Sequence, residues 1–126
     1  MPKIMIVDDE ASIRLLYREE FEDEDYEVVE AENGEGLMAR VENEKPDIIV
    51  LDIKMANYDG LDLLQDIRQR FHDLPIIISS AYGAYKGDYK TLAADYYVVK
   101  SSDLSELKQK VRKALEGRVP AKARTE

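Results

Sequence analysis

Residues 47–52 read Asp-Ile-Ile-Val-Leu-Asp, four large apolar residues enclosed by two aspartates. Pro46 stands directly before this stretch, and a proline ends a preceding helix because its ring blocks helical continuation. A short run that is apolar at every position, rather than at alternate positions, is typical of a strand buried on both faces. The stretch therefore predicts a central strand of a covered sheet, with Asp52 at its carboxyl end.

Similar apolar runs recur on both sides of this strand. They predict four more strands, over residues 4–7, 26–31, 76–80 and 97–99. Apolar residues at helical spacing lie between and after them, and these stripes are Ile13, Leu16, Tyr17 and Phe21; Leu37, Met38 and Val41; Leu61, Leu64 and Ile67; and Leu104, Leu107, Val111 and Leu115. A short helix is also predicted over residues 88–94, and Ser102 or Asp103 as the cap of the last helix. Fully apolar strands, each followed by a helix, predict a doubly wound α/β fold with a parallel sheet.

Composition excludes several classes of protein. The chain has 126 residues, 44% of them hydrophobic, with no cysteine and a formal net charge of -9. This is the size of one ordinary domain, and no apolar run reaches the roughly 20 residues that span a bilayer. An acidic domain without a basic face is a poor candidate for direct nucleic-acid binding, and the lack of cysteine fits a reducing cytoplasm. We expect one cytoplasmic domain over residues 1–117, with residues 118–126 as a tail or the start of a linker.

Charge is unevenly distributed along the chain. Ten acidic residues and no basic residue lie between Glu19 and Glu35. Seven basic residues against two acidic ones lie between Lys108 and Glu126. A solvated face and a basic last helix are the ordinary interpretation of such runs. Docking surfaces are the alternative.

The carboxyl ends of the predicted strands carry the chemistry. Ligands of open parallel sheets bind beyond these ends, where the strand order reverses. The residues at these ends are Asp8 and Asp9, Asp52, Ser80 and Lys100. Close carboxylates require a raised pKa or a compensating cation, and hard oxygen ligands suit Mg²⁺. A divalent ion beside a lysine would hold phosphoryl oxygens, and the central Asp52 is the best candidate for the nucleophile.

These residues stand in motifs that resemble those of response regulator receiver domains. The motifs are Val7-Asp8-Asp9-Glu10, Val50-Leu51-Asp52-Ile53-Lys54-Met55, Asp59-Gly60, Ser79-Ser80-Ala81 and Tyr97-Val98-Val99-Lys100. The resemblance covers about residues 3–116. It implies a flavodoxin-like (βα)5 fold with sheet order 2-1-3-4-5. It also implies a signalling domain, phosphorylated on Asp52 by a histidine kinase or phosphotransfer protein, that acts on a downstream protein or output domain which the sequence does not identify.

The resemblance also implies a role for each motif residue. Asp9 and Asp52 would bind Mg²⁺ directly and Asp8 through water, and the backbone carbonyl of Lys54 would complete the protein ligands. Ser80 would hydrogen-bond the phosphoryl group and Lys100 would pair with it. Tyr97 would turn inward as Ser80 moves.

The sequence departs from the family pattern in three places. Ser101 follows Lys100 where the family usually has a proline, typically cis, and we expect a trans bond here because a cis bond before a non-proline residue costs about 3 kcal/mol. The loop at 55–60 lacks the usual proline and first glycine. The stretch between Ser80 and Lys100 is about two residues short, which affects the partner surface. Tyr82 follows Ser80 by two residues, and we expect it to lie at the mouth of the site and to shield the acyl phosphate from water.

Two other functions compete with the hypothesis of a receiver domain. Mg²⁺-dependent phosphatases or phosphotransferases of the haloacid-dehalogenase kind resemble this topology, but they need Asp-x-Asp after the first strand, and here Asp8 and Asp9 are adjacent. A flavin-binding domain is disfavoured because the acidic loop after the first strand would repel the phosphate of the flavin.

Overall fold

The structure is a computed structural model that describes residues 1–55, 57–81 and 89–117. The predicted tail at 118–126 and the proposed shield Tyr82 lie outside the described residues. Strands and helices alternate along the described chain. The strands are β1 (Lys3–Val7), β2 (Glu27–Ala31), β3 (Ile48–Leu51), β4 (Lys54–Met55), β5 (Tyr58–Asp59), β6 (Ile76–Ser80) and β7 (Tyr96–Val99). The helices are α1 (Ala11–Glu22), α2 (Leu37–Glu44), α3 (Gly60–Arg70) and α4 (Ser105–Gly117), with a 3₁₀ helix at Tyr89–Ala93.

Five strands form one parallel sheet in the order β2-β1-β3-β6-β7. Counting only the strands of this sheet along the chain, the order is 2-1-3-4-5, so the predicted doubly wound flavodoxin-like fold is confirmed. Val7 lies opposite Leu51 at the ends of β1 and β3, and Ser80 lies opposite Val99 at the ends of β6 and β7. The strand order reverses between β1 and β3, so the residues that follow these two strands lie at the switch point.

Alternate residues of each strand enter two hydrophobic cores, one on each face of the sheet. Met5, Ile49 and Ile78 belong to the core beneath α2 and α3. Ile6, Val50 and Ile77 belong to the core beneath α1 and α4. Burial on both faces explains why these strands are apolar at every position.

The turn-rich stretch before α3 contains a small hairpin that the sequence analysis missed. β4 and β5 pair as an antiparallel ladder of two residues each. Two-residue strands are too short to show a hydrophobic period, and Asn57 in the turn has a positive φ of 67°, which asparagine tolerates well. The Asp59 carboxylate then accepts a hydrogen bond from the Leu61 N–H at 2.9 Å and caps α3.

The acidic and basic runs meet in the fold. Lys108 of α4 lies 2.7 Å from the Glu20 carboxylate and 3.1 Å from that of Glu24, and Arg112 lies 3.6 Å from Glu24. Some of the acidic residues that appeared to form only a solvated face therefore tie α1 to α4. This pairing joins residues about 90 positions apart, so the local charge pattern could not reveal it.

The last helix starts later than its predicted cap residues suggest. α4 begins at Ser105, whose N–H donates to the Asp103 carboxylate at 2.9 Å. The Asp103 side chain therefore satisfies the first backbone N–H of α4 from two residues before the helix. Every peptide bond in the described part of the chain is trans, as predicted for the bond between Lys100 and Ser101. Within the same part, no helix combines the length and the apolar character that crossing a bilayer requires.

Candidate functional site

Two neighbouring strands place Asp8 and Asp52 side by side. The Asp8 N–H donates to the Ala31 carbonyl at 3.1 Å, and the Asp52 N–H donates to the Val7 carbonyl at 2.9 Å. Both residues therefore continue the hydrogen-bond ladder one step past the end of their strands. Their side chains are only 3% and 4% exposed, which is unusual for carboxylates. Two buried carboxylates at this position need a compensating cation.

Lys100 supplies that positive charge from the end of β7. Its Nζ lies 2.7 Å from Oδ2 of Asp8 and 3.4 Å from Oδ2 of Asp52. The Lys100 N–H donates to the Ser80 carbonyl at 2.7 Å, which fixes the start of the side chain beside β6. The structure thus brings Asp8, Asp52 and Lys100 together, as the sequence predicts.

Burial and charge shift the acidity of the site. Burial raises the pKa of the Asp52 carboxyl to about 6; the charge of Lys100 opposes this rise, and the charge of Asp8 adds to it. Burial acts to lower the pKa of Lys100, but the hydrogen bond and charge of Asp8, together with the charge of Asp52, raise it overall. Lys100 thus remains charged at neutral pH, where the Asp52 carboxyl is mainly ionised.

A cluster of acidic side chains lies directly after β1. The carboxylate oxygens of Asp8, Asp9 and Glu10 lie within 4.8 Å of one another. Asp8 is buried, whereas Asp9 and Glu10 are exposed. These hard oxygen donors at the edge of the sheet fit Mg²⁺, which keeps several waters and needs few protein ligands. Glu10 was not singled out from the sequence as a site residue, although it continues the Asp8-Asp9 run.

The remaining predicted residues surround Asp52. The Lys54 N–H donates to Oδ1 of Asp52 at 3.3 Å, so the first residue of β4 contacts the carboxylate through its backbone. Ser80 is fully buried at the end of β6. Tyr97 lies opposite Ile78 on β7, so its side chain and that of Ser80 share the sheet face beneath α2 and α3. The two residues predicted to act together thus lie on one face.

Two contacts beside the site were not predicted. The Tyr17 hydroxyl lies 2.9 Å from the Ser79 Oγ in the buried layer under α1. Burial raises the pKa of Tyr17, and the charges of Lys100, Asp8 and Asp52 also act on its phenol. The second contact is a hydrogen bond from the Arg14 guanidinium to the Asp8 carbonyl at 2.7 Å. Helical spacing had marked Tyr17 only as a member of an apolar stripe.

Comparison with known proteins identifies the family. The family described as response regulator receiver domain matches residues 4–112 of this chain. The chain belongs to this family. This match favours the receiver function over the phosphatase alternative.

Two relatives, one of them solved in two complexes, illustrate the likeness of this receiver domain to other proteins. Sporulation initiation phosphotransferase F from Bacillus subtilis is 35% identical over 115 residues, which cover 90% of this chain and 93% of the relative. Response regulator protein TrrA from Thermotoga maritima, solved in complex with Mg²⁺-BeF, is 43% identical with a TM-score of 0.87 over 90% of this chain and 99% of its own. TrrA has also been solved in complex with histidine kinase ThkA, where its TM-score to this chain is 0.85 over 91% of this chain and 99% of that one.

Other relatives are about twice as long. The probable transcriptional regulator ycf27 of Porphyra purpurea is 38% identical over 90% of this chain, but the match spans only 47% of the relative. The receiver domain therefore corresponds to the whole of some regulators and to one part of others.

Proposed function

We propose that Asp52 is the phosphoryl acceptor of this receiver domain and that the donor is a phosphohistidine of a histidine kinase or phosphotransfer protein. In this step an Asp52 carboxylate oxygen bonds to phosphorus while the bond from phosphorus to the histidine nitrogen breaks. The nitrogen keeps the electron pair, and Asp52 becomes an acyl phosphate. The observation that carries the proposal is the buried Asp52 carboxylate with the Lys100 ammonium 3.4 Å away.

Magnesium is the proposed cofactor. Asp8, Asp9 and Asp52, together with the backbone carbonyl of Lys54, would hold the ion. Bound there, Mg²⁺ would offset the negative charge of the phosphoryl oxygens. The cluster of carboxylate oxygens after β1 supports this assignment, as does the Mg²⁺-BeF complex of TrrA.

We propose that Ser80 and Tyr97 pass the change at Asp52 to a partner-binding face. Ser80 would hydrogen-bond the phosphoryl group, and Tyr97 would turn inward on the same face of the sheet as Ser80 moves. The domain would thus act as a signalling switch, with no chemistry beyond its own phosphorylation and dephosphorylation.

The proposal extends to the partner, the cellular compartment and the bounds of the domain. A histidine kinase partner is supported by the complex of TrrA with ThkA. We also place the domain in the cytoplasm, because a chain without cysteine fits a reducing compartment. We assign residues 1–117 to the receiver domain and residues 118–126 to a tail or linker.

Incubation with acetyl phosphate and Mg²⁺, followed by intact-mass measurement, tests the assignment. The wild-type chain should gain the mass of one phosphoryl group, and this gain should disappear when EDTA replaces Mg²⁺. Asp52→Ala should show no adduct. The matched control is Asp66→Ala, which removes an exposed aspartate of α3 and should be phosphorylated normally. An undiminished adduct on Asp52→Ala, or none on the wild type, would contradict the proposal.

A further inference from the structure

Arg14 connects the loop after β1 to the edge of the sheet. Its Nη1 donates to the Asp8 carbonyl at 2.7 Å, and its Nε donates to the Glu30 carboxylate at 3.1 Å. The Arg14 side chain is only 14% exposed, so both contacts are largely shielded from water. One planar guanidinium thus bridges a backbone oxygen of the candidate site and a side chain of the edge strand β2.

Glu30 is itself held from three directions. Its second carboxylate oxygen accepts a hydrogen bond from Nε of Arg18 at 2.5 Å. Its backbone carbonyl accepts a hydrogen bond from Arg40 of α2. The hydrogen bond from Arg18 lowers the pKa of the Glu30 carboxyl most; the charge of Arg18 and the contacts of Arg14 also lower it, while burial opposes them. Glu30 is therefore a fixed, ionised anchor for Arg14 at neutral pH.

The Asp8 carbonyl that Arg14 contacts controls the orientation of the acidic cluster. The Asp8 carbonyl belongs to the peptide that joins Asp8 to Asp9, and that peptide is planar. Fixing the direction of this carbonyl fixes the plane between two carboxylates of the acidic cluster. On the other side, the Glu10 N–H donates to Oδ1 of Asp8 at 2.9 Å.

We propose that Arg14 is a positioning residue for the magnesium site: braced on Glu30, it holds the Asp8–Asp9 peptide so that both carboxylates face the ion. This inference rests on the proposed Mg²⁺ site. Arg14 acts through the backbone and is not itself a ligand.

Loss of the Arg14 charge and loss of its positioning contacts predict opposite changes in Mg²⁺ affinity, which makes the proposal testable. Removing a cation near a Mg²⁺ site reduces repulsion and by itself would strengthen binding. Loss of a group that orients the ligands weakens binding, typically by about tenfold or more. We therefore expect Arg14→Gln to bind Mg²⁺ about tenfold more weakly despite its lower positive charge. Arg14→Lys keeps the charge but loses the two-armed contact, and it should also bind more weakly.

The experiment is a Mg²⁺ titration of the unphosphorylated protein, followed by the backbone amide chemical shifts. Arg112→Gln is the matched control, because Arg112 carries the same charge but pairs with Glu24, away from the contacts that hold Arg14. It should bind Mg²⁺ within about twofold of the wild type. The dispersion of the amide signals in the same spectra reports whether each variant is folded. If Arg14→Gln does not fold, Arg14→Lys alone tests the proposal.

The outcomes separate the two proposals. If the wild type shows no saturable response to Mg²⁺, the metal site of the proposed function fails, and the role of Arg14 fails with it. If the wild type binds Mg²⁺ and both Arg14 variants bind equally well or better, only the positioning role is overturned. Equal weakening in Arg112→Gln would also overturn it, because the effect would then not depend on the contacts of Arg14.

Discussion

The Tyr17 hydroxyl and the Ser79 Oγ form a hydrogen bond of 2.9 Å between α1 and β6, across 62 residues of chain. Both residues are 2% exposed, so neither hydroxyl can exchange this partner for bulk water. Ser79 immediately precedes Ser80, and the charge of Lys100 acts to lower the pKa of the Tyr17 phenol. The bond thus fixes α1 to the end of β6 beside the candidate site.

This bond should appear as a strong coupling in a double-mutant cycle. Tyr17→Phe and Ser79→Ala each leave one buried hydroxyl without this partner, which costs about 1–3 kcal/mol of unfolding free energy. Removing both hydroxyls should cost little more than removing one. Urea denaturation of the four proteins measures the coupling. Additive losses in the double variant would mean that the two hydroxyls do not depend on each other.

Replacement of Asp52 should stabilise the metal-free protein above pH 6. The folded-state pKa of about 6 lies above the ordinary value of 3.8, so this carboxyl binds its proton more tightly when the chain is folded. Its contribution to stability is therefore full below about pH 4 and is lost as the pH rises to 6, a total of about 3 kcal/mol. Asp52→Asn carries no such charge. In EDTA, its unfolding free energy should exceed that of the wild type by about 3 kcal/mol at pH 8, and the difference should shrink towards pH 4.

The sequence predicted those parts of the site that follow from strand ends. Asp8, Asp52 and Lys100 each come directly after an apolar run, and a parallel sheet brings such positions to one edge. The link between Tyr17 and Ser79 could not be predicted in this way, because it depends on how α1 crosses β6. The same holds for Arg14, whose acceptors lie in a loop and on the edge strand. Contacts made by the packing of helices leave no local pattern.

Loss of the Lys100 charge should destabilise the protein in a way that depends on pH. Lys100→Met leaves the buried Asp8 and Asp52 carboxylates without their cation, and breaking such a buried pair costs about 3–5 kcal/mol. Without the lysine the Asp52 pKa should rise further, so protonation at pH 5 should recover part of the loss. Denaturation in EDTA at pH 8 and pH 5 measures both effects. Lys113→Met, at an exposed position of α4, is the control and should change little. A loss that is equal at the two pH values would contradict the electrostatic explanation.

A methyl group at Gly60 should disturb the backbone of Asp52, the proposed phosphoryl acceptor. A Cβ at this position would lie 2.5 Å from the Asp52 carbonyl oxygen and 2.6 Å from that of Ile53, and both obstacles are backbone atoms. Gly60→Ala must therefore displace the segment after β3, at a cost of about 1–3 kcal/mol. We expect a lower yield of the acetyl phosphate adduct as well as lower stability. Gly117→Ala meets no atom within 4 Å and is the control. Normal phosphorylation of Gly60→Ala would show that the loop tolerates the shift.

The position of Lys100 in the chain has a consequence for synthesis. The two carboxylates come from the first and third strands of the sheet, but their counter-charge comes after the last strand, 48 residues beyond Asp52. As the chain leaves the ribosome from its N-terminus, the Asp8 and Asp52 carboxylates repel each other until β7 docks, unless a bound cation offsets their charge. The strand that completes the sheet therefore also brings the protein's own counter-charge to the two carboxylates.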